Sequence, residues 1–370
     1  MAPTRVALLT EIPAPFRIPL FNALAARDEV RLRVLFLSDR DPKRPYPVYR
    51  DEFRFDGRTL PGRDVVRGSR WVVLNGGVLG ELRRVRPDVI VVGGWNQPAF
   101  WQAAAWARAR HIPLVTWVES TVRDARPGNA VLERAKRWIV AGSAALLVPG
   151  SASAEYAVSL GVPPERVVVA PNAVDQTIFR DAVAAASADR ERLRAELGLT
   201  RATFLFVGRF DPEKGLPDLL EAADGLDADV VVIGSGSGEA ELRAAAPANV
   251  RVVGRVERNE LVPWYAAADA FVLPSRSEQW GMVLNEAASA GLPIVTSDAA
   301  GAAYDLVEDG VSGIRYRAGD VATLRTALAR VAGDDRWRTG ARARSLELAA
   351  LHTPELWAAS VARLVTRLAP

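Results

Sequence analysis

Two glutamates in the second half of the chain stand where carboxylates could hold sugar hydroxyls. Glu278 and Glu286 are separated by seven residues, and a helix is predicted from about 281 to 290. Free N–H groups at the start of such a helix suit a phosphate, and Gly281 would let that phosphate approach the backbone. Glu286 could accept two hydrogen bonds from a ribose diol, and Glu278 could hold a second sugar. An isolated pair of this kind would equally fit a helix cap and a solvated helix position.

Two cations follow a predicted strand earlier in the same half. Arg209 and Lys214 lie in the segment VGRFDPEKG at 207–215, which reads as a strand-to-helix loop. Arginine could hold a diphosphate through a two-pronged contact, and lysine could hold it as a point charge. Taken alone, the two residues could also be surface cations beside acidic neighbours.

A glycine-rich turn follows the next predicted strand. Gly234 and Gly236 lie in VIGSGSGE at 232–239, but the third glycine falls one position short of the G-x-G-x-x-G spacing. Glu239 takes the place of that glycine and would repel a pyrophosphate. The spacing therefore disfavours a dehydrogenase and leaves two hypotheses, a turn that a nucleotide approaches closely or a simple turn.

Short β-branched runs alternate with Ala-, Leu- and Arg-rich helical segments along the chain. Runs that are apolar throughout, such as VVVIG at 230–234, are typical of parallel strands covered on both faces. The pattern predicts an α/β fold with two doubly wound, Rossmann-like domains facing each other across a cleft. The predicted strands are 5–9, 31–37, 88–92, 114–118, 145–148, 166–169, 203–207, 229–233, 250–253, 270–273 and 293–296.

A domain boundary is predicted near PNAVD at 171–175, because this segment follows a strand and contains proline. Residues 1–172 then form the first domain and residues 173–350 the second. An Ala-rich helix is predicted at 182–197, and two or three amphipathic helices are predicted from 324 onward. The last stretch, 351–370, is predicted to be a helix that packs back toward the first domain.

The composition excludes several classes of protein. At 370 residues, 49% hydrophobic and 25% charged, the chain is typical of a globular protein. It contains no cysteine and two histidines, so disulfides and thiolate nucleophiles are excluded, and no metal site is predicted. No nucleic-acid motif is present, so nucleic acid is not a predicted partner. The apolar segments are too short for a signal peptide or a membrane span, which predicts a cytoplasmic protein.

The net charge of +3 hides an asymmetry between the two predicted domains. Residues 1–172 carry a balance of +9, and residues 173–370 carry a balance of −6. A basic first domain would be attracted to an anionic surface or to an anionic acceptor.

The segment EQWGMVLNE from Glu278 to Glu286 resembles the paired-glutamate motif of family 4 glycosyltransferases, a large group of retaining enzymes with the GT-B fold. The resemblance is strong over 171–316 and covers the first half only by pattern. Other segments match the family in the same order: PNAVD at 171–175, VGRFDPEKG at 207–215, IGSG at 233–236, VGRV at 253–256, YAAADAFVLPS at 265–275 and GLPIVTSD at 291–298.

This resemblance implies transfer of a glycosyl group from a nucleoside diphosphate sugar, with retention and without a metal or other cofactor. Arg209 and Lys214 would bind the diphosphate and stabilise its charge as the sugar departs. Glu278 would hold the transferred sugar and Glu286 the ribose. The remaining donor contacts would come from Trp280, Gly281, Met282, Gly234 and Gly236, with Arg255 and Val256 beside the base.

One departure from the family concerns a histidine that many members carry near the donor sugar. The comparable segment here is TWVEST at 116–121, and Glu119 is the candidate to replace that histidine as a sugar-binding or proton-accepting group. Glu119 could also be a polar residue that ends a strand. Neither His111, which precedes the strand, nor His352, predicted in a terminal helix, suits the role.

The acceptor is expected on the first domain. Phe16 and Arg17 follow the first predicted strand, and Trp95 and Asn96 follow the third, so all four are candidate acceptor contacts. The same residues could instead pack within their own loops. Basic segments at 83–86 and 134–138 fit an anionic membrane or a lipid diphosphate, and they fit solvated helix faces equally well.

The leading hypothesis is a hexosyltransferase that uses a UDP- or GDP-sugar and a glycan or lipid-linked acceptor in cell-envelope polysaccharide or glycolipid synthesis. Peripheral contact with the inner face of the membrane is an added hypothesis. The alternatives are a natural-product glycosyltransferase with a small-molecule acceptor, and a non-catalytic protein that binds nucleotide sugars.

Overall fold

The computed structural model of this protein describes residues 2–42, 47–68, 70–123 and 130–370, in which strands and helices alternate. The first half contains β1 (Thr4–Thr10), α1 (Ile18–Ala25), β2 (Val30–Phe36), β3 (Asp56–Thr59), β4 (Gly62–Arg67), β5 (Arg70–Asn75), α2 (Val78–Val85), β6 (Val89–Val92), α3 (Pro98–Arg110), β7 (Leu114–Trp117), α4 (Ala130–Gly142), β8 (Ala145–Val148), α5 (Ser151–Ser159) and β9 (Val167–Val169). The second half contains α6 (Val183–Ser187), α7 (Arg190–Glu196), β10 (Thr203–Val207), α8 (Leu216–Ala223), β11 (Asp229–Ile233), α9 (Glu239–Ala245), β12 (Val250–Gly254), α10 (Val262–Ala267), β13 (Ala270–Leu273), α11 (Met282–Ser289), β14 (Ile294–Ser297), α12 (Ala303–Leu306), β15 (Gly313–Tyr316), α13 (Val321–Gly333), α14 (Asp335–Ala349) and α15 (Pro354–Leu368).

Each half folds around one parallel sheet. In the described residues the first sheet has the order β3-β2-β1-β6-β7-β8-β9, and the second has the order β12-β11-β10-β13-β14-β15. In both sheets the order reverses beside the central strand, between β1 and β6 and between β10 and β13. Loops that leave the carboxyl ends of the strands at such a point diverge and open a crevice. The predicted pair of doubly wound, Rossmann-like domains is therefore confirmed.

The central strands are buried on both faces because helices cover both sides of each sheet. In β1, Val6 and Leu8 pack with α1 and α15, whereas Ala7 and Leu9 pack with α2 and α3. All four side chains are at most 1% exposed. This double coverage explains why the strands read as continuous apolar runs.

The elements that were not predicted are short, polar or at an edge. β3 and β15 are the outer strands of their sheets, and β4 and β5 form an antiparallel hairpin outside both sheets, with β4 exposed along its length. The continuous helix predicted at 182–197 is wrong, because the chain leaves the helical conformation at Asp189, between α6 and α7. Aspartate favours such positions since its side chain competes for backbone hydrogen bonds.

The chain returns to the first domain at its end. The hydrophobic cores of the two domains divide within the linker at 171–175, since Ala173 packs in the core of the first domain and Val174 in that of the second. Helices α13 and α14 pack on the second domain, whereas α15 lies against α1. Trp357 of α15 is fully buried, with its ring centroid 5.3 Å from that of Trp117. The last helix therefore joins the two domains a second time.

Candidate functional site

Side chains cross between the carboxyl edges of the two sheets. Asp305 of α12 accepts hydrogen bonds from the backbone N–H of Ser151 at 3.0 and 3.1 Å and from its hydroxyl at 2.6 Å, at the start of α5. Arg258, after β12, pairs with Glu52 of the first domain at 2.5 Å between Nη2 and Oε1. The loops that follow the strands of both domains therefore line one cleft.

Lys214 and Glu278 meet in that cleft as an ion pair between Nζ and Oε2. Their side chains are only 12% and 17% exposed. Two loops must approach closely for this contact, the loop after β10 and the loop after β13. Gly215 permits the approach, because a Cβ at its left-handed φ of +65° would overlap the carbonyl oxygen of Pro274. A cation and a carboxylate are thus held side by side where the sequence predicted the diphosphate and the sugar.

Arg209 lies in the same loop but has a different partner. Its guanidinium pairs with Asp211 and approaches Glu213 at 3.4 Å, and the side chain is 33% exposed. Arg209 therefore has the acidic neighbours that the alternative interpretation of this loop expected. A bound diphosphate would have to compete with Asp211 and Glu213 for its guanidinium. Gly234 and Gly236 pack this loop against β11, since a Cβ on either glycine would overlap backbone atoms of Gly208 or Phe210.

Glu286 lies on α11, one and a half turns from Gly281, which precedes the helix with φ +95°. Its Oε2 accepts a hydrogen bond of 2.7 Å from the hydroxyl of Tyr265, a side chain that is fully buried. Burial raises the pKa of Glu286 to about 7, and the Tyr265 hydroxyl and the charge of Arg258 oppose that rise. A carboxyl group that costs this much to ionise, at the rim of a cleft, is typical of a functional residue.

A chain of hydrogen bonds connects the loop between β13 and α11 to the first domain. Trp280 donates from Nε1 to Oδ1 of Asn285 at 2.7 Å, and Asn285 donates to the backbone oxygen of Asn172 in the interdomain linker at 2.8 Å. Asn172 donates in turn to Oε1 of Glu119 at 3.2 Å, and Arg17 lies 3.4 Å from the same oxygen. The structure therefore brings Trp280, Glu119 and Arg17 into one network across the cleft.

The sequence pattern did not predict a role in the site for four of these residues: Tyr265, Asn285, Asn172 and Arg258. Asn285 carried a signal, because an amide between Leu284 and Ala287 in an apolar helix needs a buried partner. Tyr265 and Arg258 carried none that spacing could reveal, since their partners lie in other elements.

Replacing Trp280 with phenylalanine is expected to lower the kcat/KM of the glycosyl transfer that the family resemblance implies about tenfold, because the loop after Glu278 loses its anchor. The change keeps the aromatic bulk but leaves Oδ1 of Asn285 buried without a donor. The matched control is Trp337→Phe, which removes an indole bond of 2.9 Å to the Gly310 carbonyl, away from the cleft. Steady-state kinetics of both variants would measure the difference, and equal losses would contradict a positioning role for the network.

The remaining predicted donor residues lie at the rim of the same region. Met282 is half-buried at the first position of α11, and Val256 packs on the core after β12. Arg255 is exposed and pairs with Glu257 at 3.2 Å. Val256 and Met282 are thus packed on the second core, whereas Arg255 reaches into solvent.

The predicted acceptor residues occupy the carboxyl edge of the first sheet. The Arg17 guanidinium lies 4.6 Å above the ring of Trp117 and 5.9 Å from that of Phe16, and it donates to the Thr10 hydroxyl at 2.5 Å. Asn96 is exposed and donates to Glu11 at 2.6 Å. Trp95 is half-buried, and its carbonyl accepts from the indole of Trp101. Arg17 thus contacts Thr10 and Trp117 at this edge as well as Glu119.

The two histidines occupy different places. His111 is exposed after α3 with a φ of +57°. The placement of His352 in a terminal helix is wrong: it lies between α14 and α15, where its ring centroid is 6.3 Å from that of Trp280. Burial lowers the pKa of His352, so its neutral form packs behind the Trp280 loop.

No helix in the described residues is both long enough and apolar enough to cross a membrane.

Comparisons with known proteins place these features in a family. The model described as Glycosyltransferase Family 4 matches residues 20–177, and the model described as Glycosyl transferases group 1 matches residues 201–334. The D-inositol 3-phosphate glycosyltransferase 1 of Catenulispora acidiphila is 31% identical over 322 residues, which cover 78% of this chain and 75% of that protein.

Solved structures share the fold at lower identity. HepE of Anabaena, solved in complex with UDP and glucose, superimposes with a TM-score of 0.76 at 18% identity, covering 98% of this chain and 99% of that chain. WaaG, described as a glycosyltransferase involved in lipopolysaccharide biosynthesis, gives a TM-score of 0.70 at 18% identity with the same coverage. The chain therefore belongs to glycosyltransferase family 4 and has the GT-B fold of two facing Rossmann-like domains.

Proposed function

We propose that this glycosyltransferase is a retaining hexosyltransferase that uses a UDP- or GDP-sugar. Its acceptor is a glycan or a lipid-linked glycan in cell-envelope polysaccharide or glycolipid synthesis. Peripheral contact between the basic first domain and an anionic membrane belongs to the same proposal.

One observation carries the proposal: Lys214 and Glu278 pair in the cleft, and the hydrogen-bonded Glu286 lies on the helix that begins beside them. Glu286 binds the ribose diol, because an ionised carboxylate accepts two hydrogen bonds and donates none. Glu278 holds hydroxyls of the transferred sugar. Lys214 then lies beside the bond that breaks between sugar and diphosphate.

The departing diphosphate is stabilised by fixed positive charge. Lys214, Arg209 and the N–H groups at the start of α11 supply that charge as the sugar becomes cationic, so the proposed reaction requires no metal. Transfer that persists in EDTA supports this part of the proposal, and transfer that returns only with a divalent cation contradicts it.

The known proteins support the choice of donor and setting. HepE was also solved with UDP-glucose, and WaaG is described by its part in lipopolysaccharide biosynthesis. The name of the Catenulispora relative adds a phosphorylated polyol to the acceptors that should be assayed.

Thermal unfolding with UDP, GDP, ADP and NAD is expected to rank UDP or GDP first. A nucleotide at about 100 times its dissociation constant adds roughly 2.7 kcal/mol to the free energy of unfolding. At the same concentration, a nucleotide that does not bind adds nothing, so the four nucleotides can be ranked. NAD as the only stabilising nucleotide would contradict the proposed donor. Nucleotide binding without transfer to any acceptor would instead indicate a non-catalytic protein that binds nucleotide sugars. Transfer to small natural products alone would indicate a natural-product glycosyltransferase.

A further inference from the structure

Helices α3 and α4 lie side by side on the first domain and present a basic face to solvent. We infer that this α3–α4 face, formed by Arg108, Arg110, Val131, Arg134, Arg137 and Trp138, docks the enzyme on an anionic lipid bilayer. The inference names the surface for the membrane contact proposed above and rests on that contact, although not on the transfer reaction.

The charge of the face is not neutralised within the described residues. Helix α3 contains no acidic residue, and the single carboxylate of α4, Glu133, pairs with Lys136 at 2.7 Å. All four arginines of the face are exposed. In the part of the chain that the structure describes, Arg108, Arg134 and Arg137 have no carboxylate within ion-pair distance. These charges are available to lipid phosphates, each adding to attraction at a negative surface.

Apolar side chains stand among these arginines. Val131 is 65% exposed and Trp138 is 39% exposed, and both lie on the outer side of α4. Trp138 and Arg108 line one shallow depression between the helices, so the indole and a cation are neighbours. Exposed tryptophan beside arginine is the combination that partitions into the headgroup region of a bilayer.

The face extends along the length of both helices. Each helix runs back from the carboxyl edge of the first sheet toward its amino edge, because α3 leads from β6 to β7 and α4 leads to β8. Val131 therefore lies nearest the edge on which the acceptor is expected, whereas Arg108 and Trp138 lie toward the amino edge. Exposed charge on α15 lies on the other side of the same sheet, because α15 packs with β1 residues opposite to those that contact α3.

Vesicle co-sedimentation without donor or acceptor tests the inference. The double variant Arg134→Gln with Arg137→Gln is expected to bind vesicles of phosphatidylcholine and phosphatidylglycerol about 30-fold more weakly than the wild type, since each basic side chain contributes about 1 kcal/mol at such a surface. The matched control is Arg363→Gln with Arg367→Gln on α15, which removes the same charge from exposed positions. The control is expected to bind like the wild type.

Salt dependence and a substitution of Trp138 test the same face further. Wild-type binding should fall from about 0.05 M to about 0.5 M salt, because salt screens the attraction. Trp138→Ser should weaken the binding that remains at high salt.

Equal binding to pure phosphatidylcholine, equal losses in both double variants, or binding to an RNA oligonucleotide but not to anionic vesicles would each overturn the inference. A thermal unfolding midpoint equal to that of the wild type shows that a variant is folded. Transfer to a soluble acceptor, assayed separately, reports on the proposed function alone.

Discussion

Replacing Lys214 with methionine is expected to lower the kcat of glycosyl transfer by about 10² to 10³, the usual cost of removing one group that stabilises developing negative charge. Nζ of Lys214 pairs with Glu278 in a site that is mostly closed to solvent, so water cannot replace the lost charge well. Because the charge on the diphosphate grows as the sugar leaves, kcat should fall more than donor affinity. Single-turnover transfer and donor titration would separate the two effects.

A control variant separates this effect from the loss of an ion pair. Arg201→Met removes the pair with Asp229, 2.5 Å apart at the amino ends of β10 and β11, on the opposite edge of the same sheet. That variant should retain transfer within about twofold, in the range of surface ion pairs that contribute little. A Lys214→Met enzyme with wild-type kcat would show that the leaving diphosphate is stabilised elsewhere.

Glu278→Ala is expected to reduce transfer while nucleotide binding is retained.

Replacing Glu286 with glutamine is expected to stabilise the ligand-free protein at pH 8. Burial raises the pKa of Glu286 from 4.5 to about 7, so the folded protein keeps this proton up to a higher pH than the unfolded chain does. The stability from this proton is complete below pH 4.5 and is lost as the pH rises through about 7. At pH 8 the buried charge therefore costs at most about 3 kcal/mol, and the glutamine variant avoids that cost. Urea unfolding at pH 5 and pH 8 measures it.

The same substitution is expected to raise the dissociation constant for the nucleotide about 100-fold at pH 8, because it removes charged hydrogen bonds worth about 1.5–3 kcal/mol each. Wild-type affinity should improve as the pH rises through about 7, whereas the variant should lack this dependence. Calorimetric titration across that range is the measurement.

Glu241→Gln provides the control, since Glu241 is an exposed carboxylate on α9 of the same domain. It should change neither nucleotide affinity nor its pH dependence. Wild-type affinity that stays constant between pH 5.5 and 8.5 would remove Glu286 from the ribose site.

Much of the fold follows from local pattern. The strands that form the centres of both sheets are apolar throughout because helices cover both faces, and this makes them visible in the sequence. The elements that escaped prediction lack that signal: β3 and β15 are four-residue edge strands that contain polar residues, and the β4–β5 hairpin leaves the sheets altogether.

The candidate site divides in the same way. Glu278, Glu286, Arg209 and Lys214 stand out because they follow predicted strands, and the carboxyl ends of parallel strands meet at one edge. The residues that these side chains contact could not be predicted from the sequence. Lys214 and Glu278 are 64 residues apart, and Asn285 and Asn172 are 113 apart. Spacing along the chain carries no information on contacts of that range.

By itself, the sequence determined two Rossmann-like domains, the family resemblance and the loops that carry the charged residues, because each is encoded in short segments. Only the tertiary structure decided that Lys214 is held by Glu278, that Arg209 faces Asp211, and that Glu286 is costly to ionise. The physical reason is that a charge takes its properties from desolvation and from its neighbours in space. Those neighbours are chosen by packing between elements that lie far apart in the chain.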